Sequence, residues 1–371
     1  MRPGLHDWEG AVTNQWDFQA PPPPPQSPPP PPPQGLHVVP LPPKRPGTAW
    51  RVIKWFGFAA LALVCVVSVL FNLVFGAGLA GGGVQAEKLR ERHLSGPSGI
   101  SAGAKVAVVT VDDIIVGTQD TGPASWIFQQ LKRAGEDGKV KAVLLDVDSP
   151  GGGITASDII HQKILELKQR NIAVVVLMRD VAASGAYYIS APADRIIAHP
   201  TSLTGSIGVI ISSFNVEGLF QKIGVQHVVF KSSPYKDILS PYRPVSEEER
   251  TMLQGITDQM FARFKDVVAK GRELTPEEAD AVSNGAVFTA QEAKDKKLVD
   301  EIGYFDDAVR AAKVATKRKA GEVEVVKYEK PPTIADMLFG SKSDAARGVE
   351  AQMSRYIERH KPGFYYLWPG P

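Results

Sequence analysis

Two residues that could share a proton stand fifty-two positions apart: Ser184, within VAASGAYYISAPADRIIAHP (181–200), and Lys236, within SPYKDILSPYRP (233–244). A serine flanked by small residues at an expected strand-to-helix turn is a candidate nucleophile, and Gly185 behind it offers an amide to an oxyanion. The plainer role of such a serine is to cap the helix. A lysine can accept the serine proton only when neutral, which requires desolvation or a neighbouring donor to lower its pKa by several units. In a Pro- and Ser-rich loop, the plainer role of Lys236 is a solvated surface cation. The pair suggests a Ser/Lys hydrolase, with both plainer roles open.

A third feature is Asp148-Ser149-Pro150-Gly151-Gly152-Gly153, directly after the apolar run VKAVLLDV (140–147). Glycines there let backbone approach a ligand closely, with amide hydrogens aimed at an oxyanion or a phosphate. The lysine and spacing of a phosphate loop are absent, so a tight turn and an anion site are equally supported. The seven histidines are scattered with none at i, i+4, which argues against a metal centre. His161 falls in an expected helix and His199 at a strand end, both structural positions. Cys65, the one cysteine, lies in an apolar run, which leaves no disulfide framework and no thiol nucleophile elsewhere.

These residues need a scaffold. Strands are expected at 105–111, 140–147, 172–178, 195–199, 207–211 and 225–231, with helices near 123–134, 155–170, 184–191 and 215–222. That alternation predicts an α/β domain on a largely parallel, buried sheet. A long helix is expected over 246–272, with Ser246 as its N-cap and Glu247, Glu248 and Glu249 in the first turn. Shorter helices follow near 276–283, 289–297 and 304–317.

Ahead of this body, Trp55 to Ala80 carries no charge and exceeds the roughly 20 residues needed to cross a bilayer. With some fifty residues before it, an uncleaved anchor fits better than a signal peptide. Lys44, Arg45, Arg51 and Lys54 precede the span and Lys88, Arg90 and Arg92 follow it, a mild bias for a cytoplasmic N-terminus and an extracytoplasmic C-terminal region. Residues 21–33 hold eleven prolines and suit a polyproline II rod within a disordered tail. The organisation expected is a Pro-rich tail (1–54), a transmembrane helix (55–80), a Gly/Ser-rich linker (81–104), a catalytic body (105–320) and a C-terminal extension (321–371). A net charge of +2 gives no bias towards nucleic acid.

The succession SPGGG, ASGAYY, TGSIGV and YKDILSPYRP resembles the signal peptide peptidase A family, peptidase family S49 in its short single-domain form, over about residues 105–305. The spacing of Ser184 from Lys236 and the apolar segment ahead of the domain share in the likeness. The resemblance implies a Clp-protease/crotonase-like fold, a membrane-anchored serine endopeptidase acting on hydrophobic peptides such as cleaved signal peptides, and a homo-oligomer. It implies Ser184 as nucleophile, Lys236 as general base, Ser206 as the hydroxyl orienting the lysine, and Gly152 and Gly185 as oxyanion-hole donors. No cofactor is expected. A soluble crotonase-like acyl-CoA enzyme would share the sheet and the glycine loop without explaining Ser184 with Lys236, and a catalytically dead membrane scaffold would need neither. The terminal HKPGFYYLWPGP (360–371) is apolar enough to dock on the body or a neighbour, or to lie in the substrate groove as an internal competitor.

Overall fold

The computed structural model describes residues 89–330 and 363–367, together with helical residues 55, 57–59 and 61–69. The chain divides into two units, Met1–Phe71 and Asn72–Pro371. Of the expected transmembrane helix only those helical positions are described, and the Pro-rich tail lies outside the described residues. Among the described residues no helix is long and apolar enough to cross a membrane.

The second unit is built on a nine-stranded mixed sheet in the order β1 (Arg90–Ser95), β11 (Val323–Glu329), β2 (Ala104–Val111), β3 (Val140–Ser149), β5 (Ala173–Ala183), β6 (Arg195–Ala198), β10 (Glu301–Ile302), with β7 (Leu203–Gly205) branching from β5 and β9 (Val287–Thr289) pairing β7. Pairing from β11 through β10 is parallel, while β1 closes one edge antiparallel and β9 runs antiparallel to β7. Successive side chains of a strand point to opposite faces, and here both faces are dry. Ala107, Val109 and Val111 pack in one core layer with Leu131, Ile160 and Tyr188, and Val106 and Val108 pack in the other with Ala308 and Ala312. The helices covering the sheet and following it are α1 (Gly122–Glu136), α2 (Ile154–Gln169), α3 (Gly185–Ser190), α4 (Glu217–Lys222), α5 (Glu247–Arg272), α6 (Pro276–Val282), α7 (Ala290–Asp295) and α8 (Phe305–Ala315).

The α/β class and the parallel sheet agree with the sequence, as does the start of α5, where Ser246 and Glu249 close a reciprocal capping box. Four elements differ. Strand β1 lies in the expected linker and β11 in the expected extension, and each completes the sheet by pairing with the other. The apolar run 207–211 contributes only β8 (Ile210–Ser212), which belongs to a separate three-stranded sheet with β4 (Gly151–Gly153) and β12 (Gly363–Leu367). The run 225–231 forms no strand and is exposed throughout. Its β-branched residues have no neighbouring strand to pair, and propensity without a partner does not make a ladder.

Candidate active site

Strand β5 is long enough to serve two neighbours: its first half pairs β6 at Val175–Met178 and its end pairs β7 at Val181–Ala183. Hydroxyls hold that fork, with Thr204 Oγ1 donating to the Ala182 carbonyl at 2.6 Å and Ser202 Oγ to the Met178 carbonyl at 2.8 Å. Ala183 is in register with Gly205, so Ser184 and Ser206 leave adjacent parallel strand ends side by side. Both take left-handed backbone, φ 53° at Ser184 and 51° at Ser206, strained for any residue with a Cβ. The Ser184 amide donates to the Gly205 carbonyl at 2.8 Å, and the Ser206 amide to the Ala286 carbonyl at 2.7 Å, which fixes the two turns.

Ser184 occupies the N-cap position of α3, yet its hydroxyl makes no cap hydrogen bond. The plainer reading of this serine is therefore not the one its geometry fulfils. A strained turn that withholds the hydroxyl from the helix and presents it at a strand end is the arrangement a nucleophile needs.

The glycine loop is braced beside it. Ser149, in register with Ala182, accepts the Gly151 amide at 3.2 Å and donates to the Asp113 carbonyl at 2.6 Å. Gly151 takes φ 98°, open only to glycine at low cost. Ile115 donates to the Gly151 carbonyl at 2.9 Å and accepts from the Gly153 amide at 2.8 Å. Since successive amides alternate in a strand, the N–H and C=O of Gly152 face the opposite edge, where Tyr366 is its register partner.

That edge is occupied by the chain's own C-terminal strand. β12 runs antiparallel to β4 on one side and to β8 on the other, so an extended peptide is held by its backbone between two strands. The Tyr366 carbonyl oxygen lies 2.3 Å from where a Cβ on Gly151 would stand and 3.0 Å from where one on Gly185 would stand. The Gly185 nitrogen is 2.6 Å from the first of those points and the Gly152 nitrogen 3.0 Å from the second. One peptide carbonyl thus sits among the two amides that the sequence nominates for an oxyanion. With β12 in place, Ser184 is 1% exposed.

The side chain next to that carbonyl enters an aromatic cage. The Tyr366 ring stacks on Tyr188 (centroids 5.0 Å apart, 29°) and packs on Phe264 (4.6 Å, 47°), and its hydroxyl donates to the Met260 carbonyl at 3.0 Å. Burial pushes the Tyr366 phenol up to about 12, so it is a neutral donor. Tyr188 is oriented from behind, its hydroxyl donating to Asp158 Oδ1 at 2.7 Å, where Arg263 also donates at 2.6 Å. Burial opposes the Asp158 charge, but these two donors hold its carboxyl below the usual range. The sequence offers one sign of the cage, the YY after Gly185 and Ala186; Phe264 and Met260 lie in a helix with nothing local to single them out.

Lys236 stands apart from this assembly. It is exposed, at the end of a stretch from Gln221 in which every residue is exposed, and among the described residues no hydrogen bond joins it to Ser184 or Ser206. The loop after it is anchored by Arg243, which bridges Asp237 (Nη2 to Oδ1, 2.7 Å) and Glu249 (Nη1 to Oε2, 2.8 Å). Arg243, helped by the Ser246 amide, holds Glu249 down at about 2. His161 and His199 are structural here: burial lowers the pKa of His161, whose ring packs 5.0 Å from Tyr188, and His199 pairs with Thr201. No metal-binding cluster occurs among the described residues. A concavity of about 700 Å³ lies elsewhere, between α2 and α5, lined by charged groups such as Lys168, Asp194, Lys270 and Asp300 and not by Ser184.

Peptidase family S49 matches residues 166–319. A "Putative signal peptide peptidase SppA" from Enterococcus faecium is 35% identical over 280 residues, covering 71% of this chain and 81% of that protein. The chain belongs to peptidase family S49. Another relative, "Protease 4" of Salmonella typhi, is 36% identical over 250 residues, which cover 67% of this chain and 40% of that protein. A solved ClpP1 mutant structure from Listeria monocytogenes aligns with a TM-score of 0.36 and 18% identity, covering 54% of this chain and 93% of that one, too weak a likeness to carry an argument. As an S49 chain this is a serine-type peptidase, and its strained Ser184 lies inside the matched region.

Proposed function

We propose that this chain is a membrane-anchored endopeptidase of the Ser/Lys type, with the Clp-protease/crotonase-like fold, that degrades hydrophobic peptides such as cleaved signal peptides. The observation that carries the reading is the strained, uncapped Ser184 beside a peptide carbonyl held among the Gly152 and Gly185 amides. Ser184 Oγ attacks the substrate carbonyl carbon as its proton passes to Lys236 Nζ. The negative charge on the carbonyl oxygen is met by the two amides, and the lysine proton goes to the leaving amine as the peptide bond breaks. Water, deprotonated by the same lysine, then releases the acyl group and returns the proton to Ser184. Ser206, leaving the adjacent strand end, is assigned to orient the amine.

A lysine base must be desolvated, and Lys236 is exposed in the single chain. The flange that carries it shows Phe214, Leu219, Ile223, Val228 and Phe230 to solvent, the last at 95% exposure. Apolar surface of that extent supports self-association, and a second copy packed on the flange would remove water from Lys236. The exposed Trp55, Phe58, Leu63 and Val67 of the N-terminal helical residues support a bilayer anchor, and four basic residues ahead of the apolar segment against three after it support a cytoplasmic N-terminus and an extracytoplasmic catalytic unit.

The test is hydrolysis of a hydrophobic signal-peptide fragment by the detergent-solubilised protein beside Ser184→Ala and Lys236→Ala, each checked for folding. Turnover lost in both variants supports the dyad. Variants that cleave as well as the parent overturn it.

A further inference from the structure

A hydroxyl inside a helix can satisfy itself on the carbonyl one turn back. Ser190 Oγ donates in this way to the Ala186 carbonyl at 2.7 Å, and Thr251 and Thr257 reach the carbonyls of Glu247 and Leu253 at 2.9 and 2.8 Å. Ser157, in the first turn of α2, does not. It is completely buried, and among the described residues its Oγ has no hydrogen-bond partner. A buried hydroxyl left unpaired is a cost that calls for a reason.

Its surroundings supply one. Helix α2 follows directly on the glycine loop, which sets Ser157 four residues beyond Gly153 and against the Ser184 turn. Ser157 Oγ lies 2.6 Å from where a Cβ on Gly185 would stand, and the same point is 3.0 Å from the Gly152 nitrogen and 3.0 Å from the Tyr366 carbonyl oxygen. The unspent hydroxyl, an amide assigned to the oxyanion and the seated peptide carbonyl thus border one small space. Glycine at 185 keeps that space open, since a Cβ there would meet the hydroxyl.

We propose that Ser157 is a third oxyanion donor, a catalytic residue that bonds the carbonyl oxygen only once that oxygen carries charge. The inference rests on the peptidase reading above and deepens it. Beside a planar carbonyl, Ser157 makes no bond. When Ser184 Oγ adds to the carbonyl carbon, the π pair of the C=O bond moves onto oxygen, the serine proton passes to Lys236, and the oxygen swings as its carbon becomes tetrahedral. Ser157 then donates a hydrogen bond to that oxygen and keeps its own proton throughout. An interaction absent from the bound substrate and present in the transition state raises kcat and leaves KM alone.

The test compares the full-length, detergent-solubilised parent with Ser157→Ala on a hydrophobic peptide and on the aldehyde of the same acyl sequence, which adds Ser184 Oγ reversibly to give a tetrahedral hemiacetal. In Ser157→Ala, kcat is expected to fall about 100-fold with KM within about twofold. Affinity for the aldehyde should drop by about tenfold or more, because the adduct imitates the tetrahedral state. The melting temperature should stay at or above the parent's, since the substitution removes an unpaired polar group. Binding of uncleaved peptide to Ser184→Ala should be the same with and without Ser157→Ala.

Unchanged kcat, a loss carried entirely by KM, or a lower melting temperature together with lost peptide binding would overturn the proposal, the last by assigning the hydroxyl to packing. A parent that neither cleaves the peptide nor takes the aldehyde sinks the peptidase reading, and this role with it. A parent that does both, beside a Ser157→Ala indistinguishable from it, sinks the role alone.

Discussion

The two sides of the proposed site are built to different standards. On the Ser184 side, each turn is fixed by short backbone bonds, the glycine loop is locked by Ser149 and Ile115, and an extended peptide is already seated. On the Lys236 side, the run from Gln221 to Lys236 is exposed, and the loop after it is clamped by Arg243 between Asp237 and Glu249. A nucleophile and an oxyanion site need preorganised geometry, which one subunit can supply by folding. A lysine base needs the removal of water, which here calls for another surface. On the proposed reading, the contrast teaches that one chain would finish the electrophile-binding half of the site by itself and would leave the proton-accepting half to assembly.

The largest expected effect tests whether both halves are needed. Ser184→Ala and Lys236→Ala should each lower peptide turnover by at least about a thousandfold with unfolding temperatures near the parent's, measured by single-turnover product formation. If Lys236→Ala turns over normally, the flange has no part in the chemistry and the contrast dissolves.

Gly152→Ala probes the finished half alone. Its Cβ would stand 2.1 Å from the Ile115 carbonyl oxygen, a backbone atom with no freedom to step aside. Turnover should fall by about 100-fold or more, with a lower melting temperature by calorimetry, because the loop must shift and the amide with it. Unchanged kinetics would show that the Gly152 amide is not an oxyanion donor.

Emptying the groove is a gentler test. Truncation after Lys361 removes β12, and turnover of an added peptide should rise about tenfold at low substrate, since a tethered strand competes at a high effective concentration. Unchanged turnover together with unchanged assembly would show that the tail does not compete with substrate.

The smallest effect concerns the clamp on the flange. Glu249 is held down at about 2 from an ordinary 4.5, chiefly by Arg243, so its ionised form is favoured by folding. A lowered folded pKa contributes stability that is present above about pH 4.5 and lost as the pH falls towards 2. Arg243→Ala should cost roughly 1–3 °C of melting temperature at pH 7 and less at pH 3, read by a pH series of thermal melts. An equal cost at both pH values would show that the clamp acts through packing rather than charge.

How much was legible in the sequence follows the range of the interactions. The capping box at Ser246 and Glu249 is local, and it appears where the residues say. The inner parallel strands announce themselves by continuous apolar runs, because both their faces are dry. Strand β11 is defined by its partners β1 and β2, more than two hundred residues away, and the 225–231 run has strand propensity that no neighbouring strand among the described residues pairs. At the site, the sequence could name Ser184 but not choose between cap and nucleophile. That choice is made by a backbone angle and by a hydroxyl that makes no cap bond. Phe264 and Met260 gain their meaning from a strand about a hundred residues further on.

The seat of β12 between β4 and β8 has a consequence for what can enter. A groove that bonds both edges of a strand asks its guest to arrive with its own amides and carbonyls unspent, and a helix or a paired strand has none to offer. Proline, which has no N–H to give, is equally unwelcome at the inner positions, and the tail itself carries Pro362 and Pro369 just outside the seated Gly363–Leu367. If the proposed peptidase reading holds, the cleft is a sieve for foldedness: an intact neighbour would be spared without being recognised, and only chain that has already come undone would be admitted.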